Sequence, residues 1–159
     1  MGPVAYRVRP ARADDEPFLA AMLELAANWR EPEPGRQPNP VEPHYVQDFG
    51  RPADIGVIAE SDEGPAGAAW CRVLVGADRG YGYVADDIPE LVLAVAPEHR
   101  GRGLGLSLID ALKVAAAGAG FRALSLSVEP ENPSRRIYER AGFARCGTHG
   151  GSWTMIAEL

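Results

Sequence analysis

The chain reads as one α/β domain built on a mixed sheet. Its 159 residues suit a domain of ordinary size. Along their length the apolar period switches repeatedly between two and about 3.6 residues, the marks of strand and helix. No internal repeat and no shift in composition divides the chain, so residues 1–159 are expected to fold as a single unit.

Val4 to Arg9 alternates, with Val4, Tyr6 and Val8 opposite Ala5, Arg7 and Arg9, which predicts a first strand. Asp14 or Asp15 then caps a helix whose first turn holds Glu16 and Pro17 and whose apolar face is Phe18, Met22, Leu25 and Trp29. Five prolines between Glu31 and Pro43 forbid a helix or a central strand, so this segment is a linker or the wall of a site. A short helix is expected over His44–Phe49. A hairpin follows, with strands Ile55–Glu60 and Gly67–Val75. After a loop rich in Gly, Tyr and Asp, Glu90–Val95 is a nearly continuous apolar run, as in a strand buried on both faces. Leu104, Leu108, Ala111, Leu112 and Ala115 mark a helix ended by Gly118 and Gly120. Leu124–Val128 alternates again. Asn132 as N-cap, Pro133 and the terminating Gly142 frame a compact helix, and Phe143–Cys146 with Trp153–Ala157 closes the sheet.

The net charge of −6 argues against nucleic acid, whose phosphates need a basic face, and suits a cationic small molecule better. Two cysteines, Cys71 and Cys146, are too few for a disulfide framework and fit a reduced, cytoplasmic setting. Met1–Pro10 has no apolar run like that of a secretion signal, and Leu91–Ala96, the longest apolar stretch, is far short of the roughly 20 residues that cross a bilayer. His44 and His99 lack partners at ligand spacing, so no metal is expected.

The chemistry concentrates where the buried strand gives way to a helix, at Arg100-Gly101-Arg102-Gly103-Leu104-Gly105. A helix N-terminus leaves N–H groups unpaired and carries roughly half a positive charge. Glycines let an anion touch the backbone, and two arginines add charge. The other phosphate motifs fail: Leu106 follows Gly105 where a P-loop needs Lys, and no glycine stands at 106 to complete a dinucleotide fingerprint.

In these residues the chain resembles the GNAT superfamily of acyl-CoA-dependent N-acetyltransferases. Arg100, Gly103 and Gly105 match its Arg/Gln-x-x-Gly-x-Gly/Ala signature; Asn132, Tyr138, Gly142 and Phe143 match a second. The Asn-to-Tyr step is six residues here and seven in many members. The resemblance implies a mostly antiparallel sheet flanked by helices, acetyl-CoA as acetyl donor, and direct transfer to an amine. It implies that the backbone of Leu93, Ala94 and Val95 pairs with the pantetheine arm. The N–H groups of Arg100, Gly101, Arg102, Gly103, Leu104 and Gly105 would hold the diphosphate, Asn132 would lie beside the pantetheine, and Tyr138 would stand near the thiol as acid.

An amine of pKa near 10 is almost wholly protonated at neutral pH, so attack on a thioester needs a base or a water chain. Glu90 is expected in that role, with Asp86, Asp87, Glu129 and bulk water as alternatives. Asp86, Asp87 and Glu90 are expected to form an acidic mouth. Cys71 is disfavoured as a nucleophile because lone cysteines are usually buried. Trp29, Tyr81 and Tyr83 are expected to wall the acceptor, with Arg30, His44, Tyr45 and Trp70 nearby; His99 is expected in solvent. Three readings stay open: transfer to a small-molecule amine, transfer to a protein N-terminus or lysine, and a CoA-binding sensor without turnover. A homodimer is compatible with each.

Overall fold

The computed structural model describes residues 4–159; residues 1–3, the first of the Met1–Pro10 stretch, lie outside the described residues. The strands are β1 (Arg7–Pro10), β2 (Ile55–Ser61), β3 (Gly64–Arg72), β4 (Glu90–Val95), β5 (Ala123–Val128), β6 (Ala144–His149) and β7 (Ser152–Glu158). The helices are α1 (Glu16–Ala27), α2 (Leu104–Gly118) and α3 (Ser134–Arg140). The strands form one sheet in the order β1-β2-β3-β4-β5-β7-β6. Every neighbouring pair is antiparallel except β4 and β5, which run parallel. This is the expected mixed, mostly antiparallel sheet.

The alternation of β4 sorts the core into two layers. Leu91 and Leu93 pack with Leu104, Leu108, Ile109 and Leu112 of α2; Val92 and Ala94 pack with Leu19, Met22 and Leu23 of α1 and with Trp70. Burial on both faces is what the continuous apolar run predicted.

Several expectations shift. β1 begins at Arg7, not Val4, because its partner β2 ends at Ser61, opposite the residue before Arg7; Val4 and Val8 are exposed. The fully buried α1 face is Leu19, Met22 and Leu23, with the expected Phe18 and Leu25 half-buried against the same cluster; Trp29 lies past the last turn. Asp15 precedes α1, but its carboxylate is taken by Arg9 and by the Arg12 N–H, so it makes no side-chain cap on that helix. Residues 31–42 form no helix or strand, as the prolines require, and the expected helix at 44–49 shrinks to a single 3-10 turn, Pro43–Tyr45. β3 leaves the sheet after Arg72, three residues early, because β4 starts opposite it at Glu90. The 73–89 connection then folds over the α1-side face of the sheet.

Candidate active site

β4 and β5 meet in register only at Glu90 and Ser125, with Ser125 N donating to Pro89 O (3.0 Å). Beyond that point the strands diverge, and a cleft opens toward their C-terminal ends. Ala96 N donates to Ala66 O of the β3 side (2.8 Å). Strand alternation therefore turns the backbone of Ala94 toward β3 and that of Leu93 and Val95 toward the cleft. This corrects the expectation for Ala94, whose polar groups already belong to the β3–β4 ladder. Val95 O accepts a hydrogen bond from Arg100 Nε (3.0 Å).

At the cleft mouth α2 begins. Gly101 and Gly103 both have φ of +77°, a conformation that disfavours a Cβ, and no atom lies within 4 Å of where one would be. Gly103 is the N-cap, and no side chain among the described residues caps the helix. The leading N–H groups of α2 thus face outward over an open surface, as an anion site requires. Gly105 serves packing instead. A Cβ there would stand 3.0 Å from Ile137 Cδ1 and 3.7 Å from Leu93 Cδ2, so its glycine lets α3 close on α2 and β4. Arg102 donates to the Tyr6 hydroxyl (2.6 Å), which is 2.7 Å from His99 Nδ1. His99 is buried, contrary to the solvated position expected for it, and with Tyr6 it ties the loop to the chain before β1.

Glu90 sits on the α1-side face with Val92 and Ala94, in a β3–β4 register that runs without a bulge from Gly67↔Val95 to Arg72↔Glu90. It is only 4% exposed. Tyr45 OH donates to its Oε2, and Gly82 N donates to its Oε1 (3.1 Å). Tyr81 N donates in turn to Tyr45 OH (2.9 Å). Burial pushes the Glu90 carboxyl up to about 7, while these two donors pull it down less strongly. The segment Gly80–Gly82 presses on this pair. A Cβ on Gly80 would overlap Tyr45 OH and the Glu90 carboxylate, and one on Gly82 would lie 2.5 Å from the Leu126 carbonyl carbon.

The acidic mouth does not form. Asp87 pairs with Arg122, Asp86 accepts from Tyr83 OH (2.5 Å), and Glu129 pairs with Arg30 (2.7 Å). Cys71 is fully buried and its thiol is pushed up to about 12 by desolvation, so it is inert as a nucleophile.

Tyr138 is buried in the core layer under α2, edge-on to Phe143 with ring centroids 6.1 Å apart. Its hydroxyl has no hydrogen-bond partner among the described residues, and desolvation holds its proton on firmly. Asn132 Oδ1 accepts from Ser134 N (2.9 Å) in a turn ahead of α3, but the N-cap is Pro133 and not Asn132 as expected, because α3 starts one residue later, at Ser134.

A cavity of about 660 Å³ lies between the 76–84 loop and the β6–β7 ladder. Tyr81 and Tyr83 line it together with Glu42, Arg79, Gly80 and Thr154. Tyr81 meets His149 of β6 across it, with centroids 5.7 Å apart. Trp29 is not part of this wall; it stacks with Arg30 at 4.4 Å. Trp70 is core, and its Nε1 donates to Tyr45 O (2.8 Å).

Three residues to which the sequence alone assigns no role complete the site. Arg72, 1% exposed, binds both Asp54 carboxylate oxygens and the carbonyls of His44 and Gln47. That grip fixes the turn from which Tyr45 reaches Glu90. Gly80 and Gly82 are the others. The spacing Gly-Tyr-Gly is visible in the sequence, but not the surface it presses against.

Comparison with known proteins places the chain in a family. The family model described as "Acetyltransferase (GNAT) family" matches residues 19–143. Mycothiol acetyltransferase of Propionibacterium freudenreichii is 31% identical over 151 residues, covering 94% of this chain and 46% of that protein, so the chain spans about half of that relative's length. L-2,4-diaminobutyric acid acetyltransferase of Nocardia farcinica is 31% identical over 135 residues, covering 64% of this chain and 70% of that protein. PaiA N-acetyltransferase of Thermoplasma acidophilum, solved with coenzyme A, superposes with a TM-score of 0.67 at 15% identity, covering 98% of this chain and 99% of that one. With the family model matched across most of its length, the chain belongs to the GNAT family of acetyltransferases.

Proposed function

We propose that the protein transfers an acetyl group from acetyl-CoA to the primary amine of a small molecule, by direct attack within a ternary complex. One observation carries this reading: a strand edge left unpaired beyond Glu90 leads straight to a helix N-terminus with no side-chain cap. The backbone of Leu93 and Val95 suits a pantetheine arm added as a strand, and the N–H groups from Arg100 to Gly105 suit its diphosphate. The donor supplies an activated thioester carbonyl. A backbone N–H on the cleft edge of β4 stabilises the oxygen of that carbonyl as negative charge builds on it.

Glu90 accepts the proton released by the amine, directly or through one water, and Tyr138 supplies a proton to the departing sulfur. Asn132 orders the turn at the start of α3 that sets Tyr138 beside the cleft. A small acceptor is favoured because the neighbouring cavity is bounded by side chains on the loop and on the β6–β7 ladder, and because the two curated relatives carry small molecules in their names.

The reading is tested by thiol release from acetyl-CoA with panels of small amines and of peptides, beside calorimetric binding of acetyl-CoA. Turnover with amines supports it. Turnover with peptides alone makes the acceptor a protein, and tight binding without any turnover makes the chain a sensor.

A further inference from the structure

The 660 Å³ cavity holds one guanidinium, that of Arg79, and one carboxylate, that of Glu42. Their situations differ. Glu42 already accepts from Tyr81 OH (3.3 Å) and faces His44 Nδ1 at 3.9 Å. Arg79 has no carboxylate partner among the described residues; its guanidinium lies over the Tyr83 ring, 4.1 Å from the centroid. Stacking of this kind leaves the edge donors of a guanidinium available for a planar anion. The volume falls within the range of ordinary small-molecule sites.

The cavity is also adjacent to the reacting centre. Gly80 lines it, and a Cβ on Gly80 would overlap Tyr45 OH and the Glu90 carboxylate. Thr154 lines it as well, and Thr154 pairs with Ser127 on β5, the strand that bounds the cleft. Gly80 is thus shared between the cavity that holds the guanidinium and the Tyr45–Glu90 pair, whose carboxylate is expected to receive the amine's proton. The three acids whose clustering would have favoured a purely cationic acceptor are engaged elsewhere, with Arg122, with Tyr83 and with Tyr45 and Gly82.

We propose that this cavity takes an amine that also bears a carboxylate, an amino acid in the broad sense, with Arg79 as the partner of its anionic end. The proposal rests on the acetyl-transfer reading for the fate of the amine, but not for the binding of the carboxylate. Glu42 supplies the opposite charge that a zwitterion meets on entry, and Tyr81 with Tyr83 gives the aromatic surface for its carbon skeleton. In the transfer itself the amine nitrogen bonds to the acetyl carbon, the carbon–sulfur bond breaks, and one proton leaves nitrogen as the thiolate gains one. The carboxylate takes no part in these steps and serves only to place the amine.

The experiment compares glycine, leucine, phenylalanine, methionine, glutamine and lysine, each as the free acid and as its carboxamide. Thiol release gives kcat/KM for wild type, Arg79→Met and Arg79→Lys; calorimetry gives binding of the same compounds. Wild type should favour at least one acid over its amide by about tenfold or more, the scale of a lost charge-assisted hydrogen bond. Arg79→Met should abolish that preference by weakening the acid while leaving the amide within about twofold, and Arg79→Lys should restore part of it. Amides equal to or better than acids in wild type overturn the proposal, as does an Arg79→Met variant that weakens both alike. So does a panel with neither turnover nor binding. If simple amines are acetylated with no carboxylate preference, the acetyl-transfer reading stands and this proposal falls. If acids bind through Arg79 but acetyl-CoA is not bound, the reverse holds.

Discussion

The hydroxyl of Tyr45 donates to Oε2 of Glu90, joining the end of the proline-rich segment to the first residue of β4. Forty-five positions separate the two in sequence. The contact exists because Arg72 holds the carbonyls of His44 and Gln47 on either side of Tyr45 (3.0 and 2.7 Å). The loop then closes over both through Tyr81 N and Gly82 N.

Glu90 should make stability fall as pH rises. Its carboxyl is pushed from 4.5 up to about 7, so between those values the folded chain keeps a proton that the unfolded chain has lost. The contribution is most favourable below about 4.5 and is lost through the window, a change on the order of 3 kcal/mol. Glu90→Gln removes the titration. Between pH 5 and pH 8 the urea midpoint should drop for wild type relative to the variant; parallel profiles would contradict the assignment.

The same substitution tests the base. Glu90→Gln should lose turnover most at neutral pH and recover in part at high pH, where more of the amine is already neutral. A pH–rate profile identical to that of wild type, with unchanged acceptor affinity, would remove Glu90 from the reaction.

Tyr138→Phe should lower turnover by roughly 10²-fold with little change in acetyl-CoA affinity. Folding stability should hold, because the lost hydroxyl has no hydrogen-bond partner among the described residues and is not one of their buried unpaired polar atoms. Wild-type turnover in the variant would leave Tyr138 a core residue only.

Gly103→Val should weaken acetyl-CoA binding more than tenfold by calorimetry. It sets a branched side chain over the outward N–H groups of α2 and forces φ of +77° on a residue that resists it, at a stability cost of about 1–2 kcal/mol. Gly105→Ala is the contrast. Its Cβ meets the movable end of Ile137, so donor affinity should change far less. Equal loss in both would refute the division of labour between the two glycines.

Arg72→Met should cost about 3–5 kcal/mol in urea unfolding, because it leaves the Asp54 carboxylate buried without its partner. At pH 7 it should also disorder the Tyr45–Glu90 contact, read as faster hydrogen exchange at Tyr81 and Gly82. A loss below about 1 kcal/mol, the scale of an exposed ion pair, would show that the pair is not a keystone of this face.

β4 was legible to the residue, and α2 nearly so, since an unbroken apolar run and a helical stripe between glycines depend on local pattern alone. The two signatures likewise lie where backbone conformation is local: left-handed glycines before α2 and the Asn132 contact before α3. Glu90 stood out as a candidate, but not its burial, because what covers it comes from Tyr45 and Gly82. The acidic mouth failed for the same reason. Adjacent acids look like a free cluster in sequence, yet Arg122 neutralises Asp87 and Tyr83 occupies Asp86. Trp29 was placed by extending a helical stripe past the point where α1 ends.

The single point of register between β4 and β5 means that the sheet is mechanically two panels sharing a short seam at Glu90 and Ser125. β1 to β4 make one panel and β5 to β7 the other, with the α2 layer spanning both on one side. A chain of amide groups laid along Leu93 and Val95 would lengthen that seam and splice the panels. Cofactor occupancy should then be felt as stiffness across the whole sheet, so that amide protons on β5 and β7, far from any ligand atom, exchange more slowly once the cleft is filled.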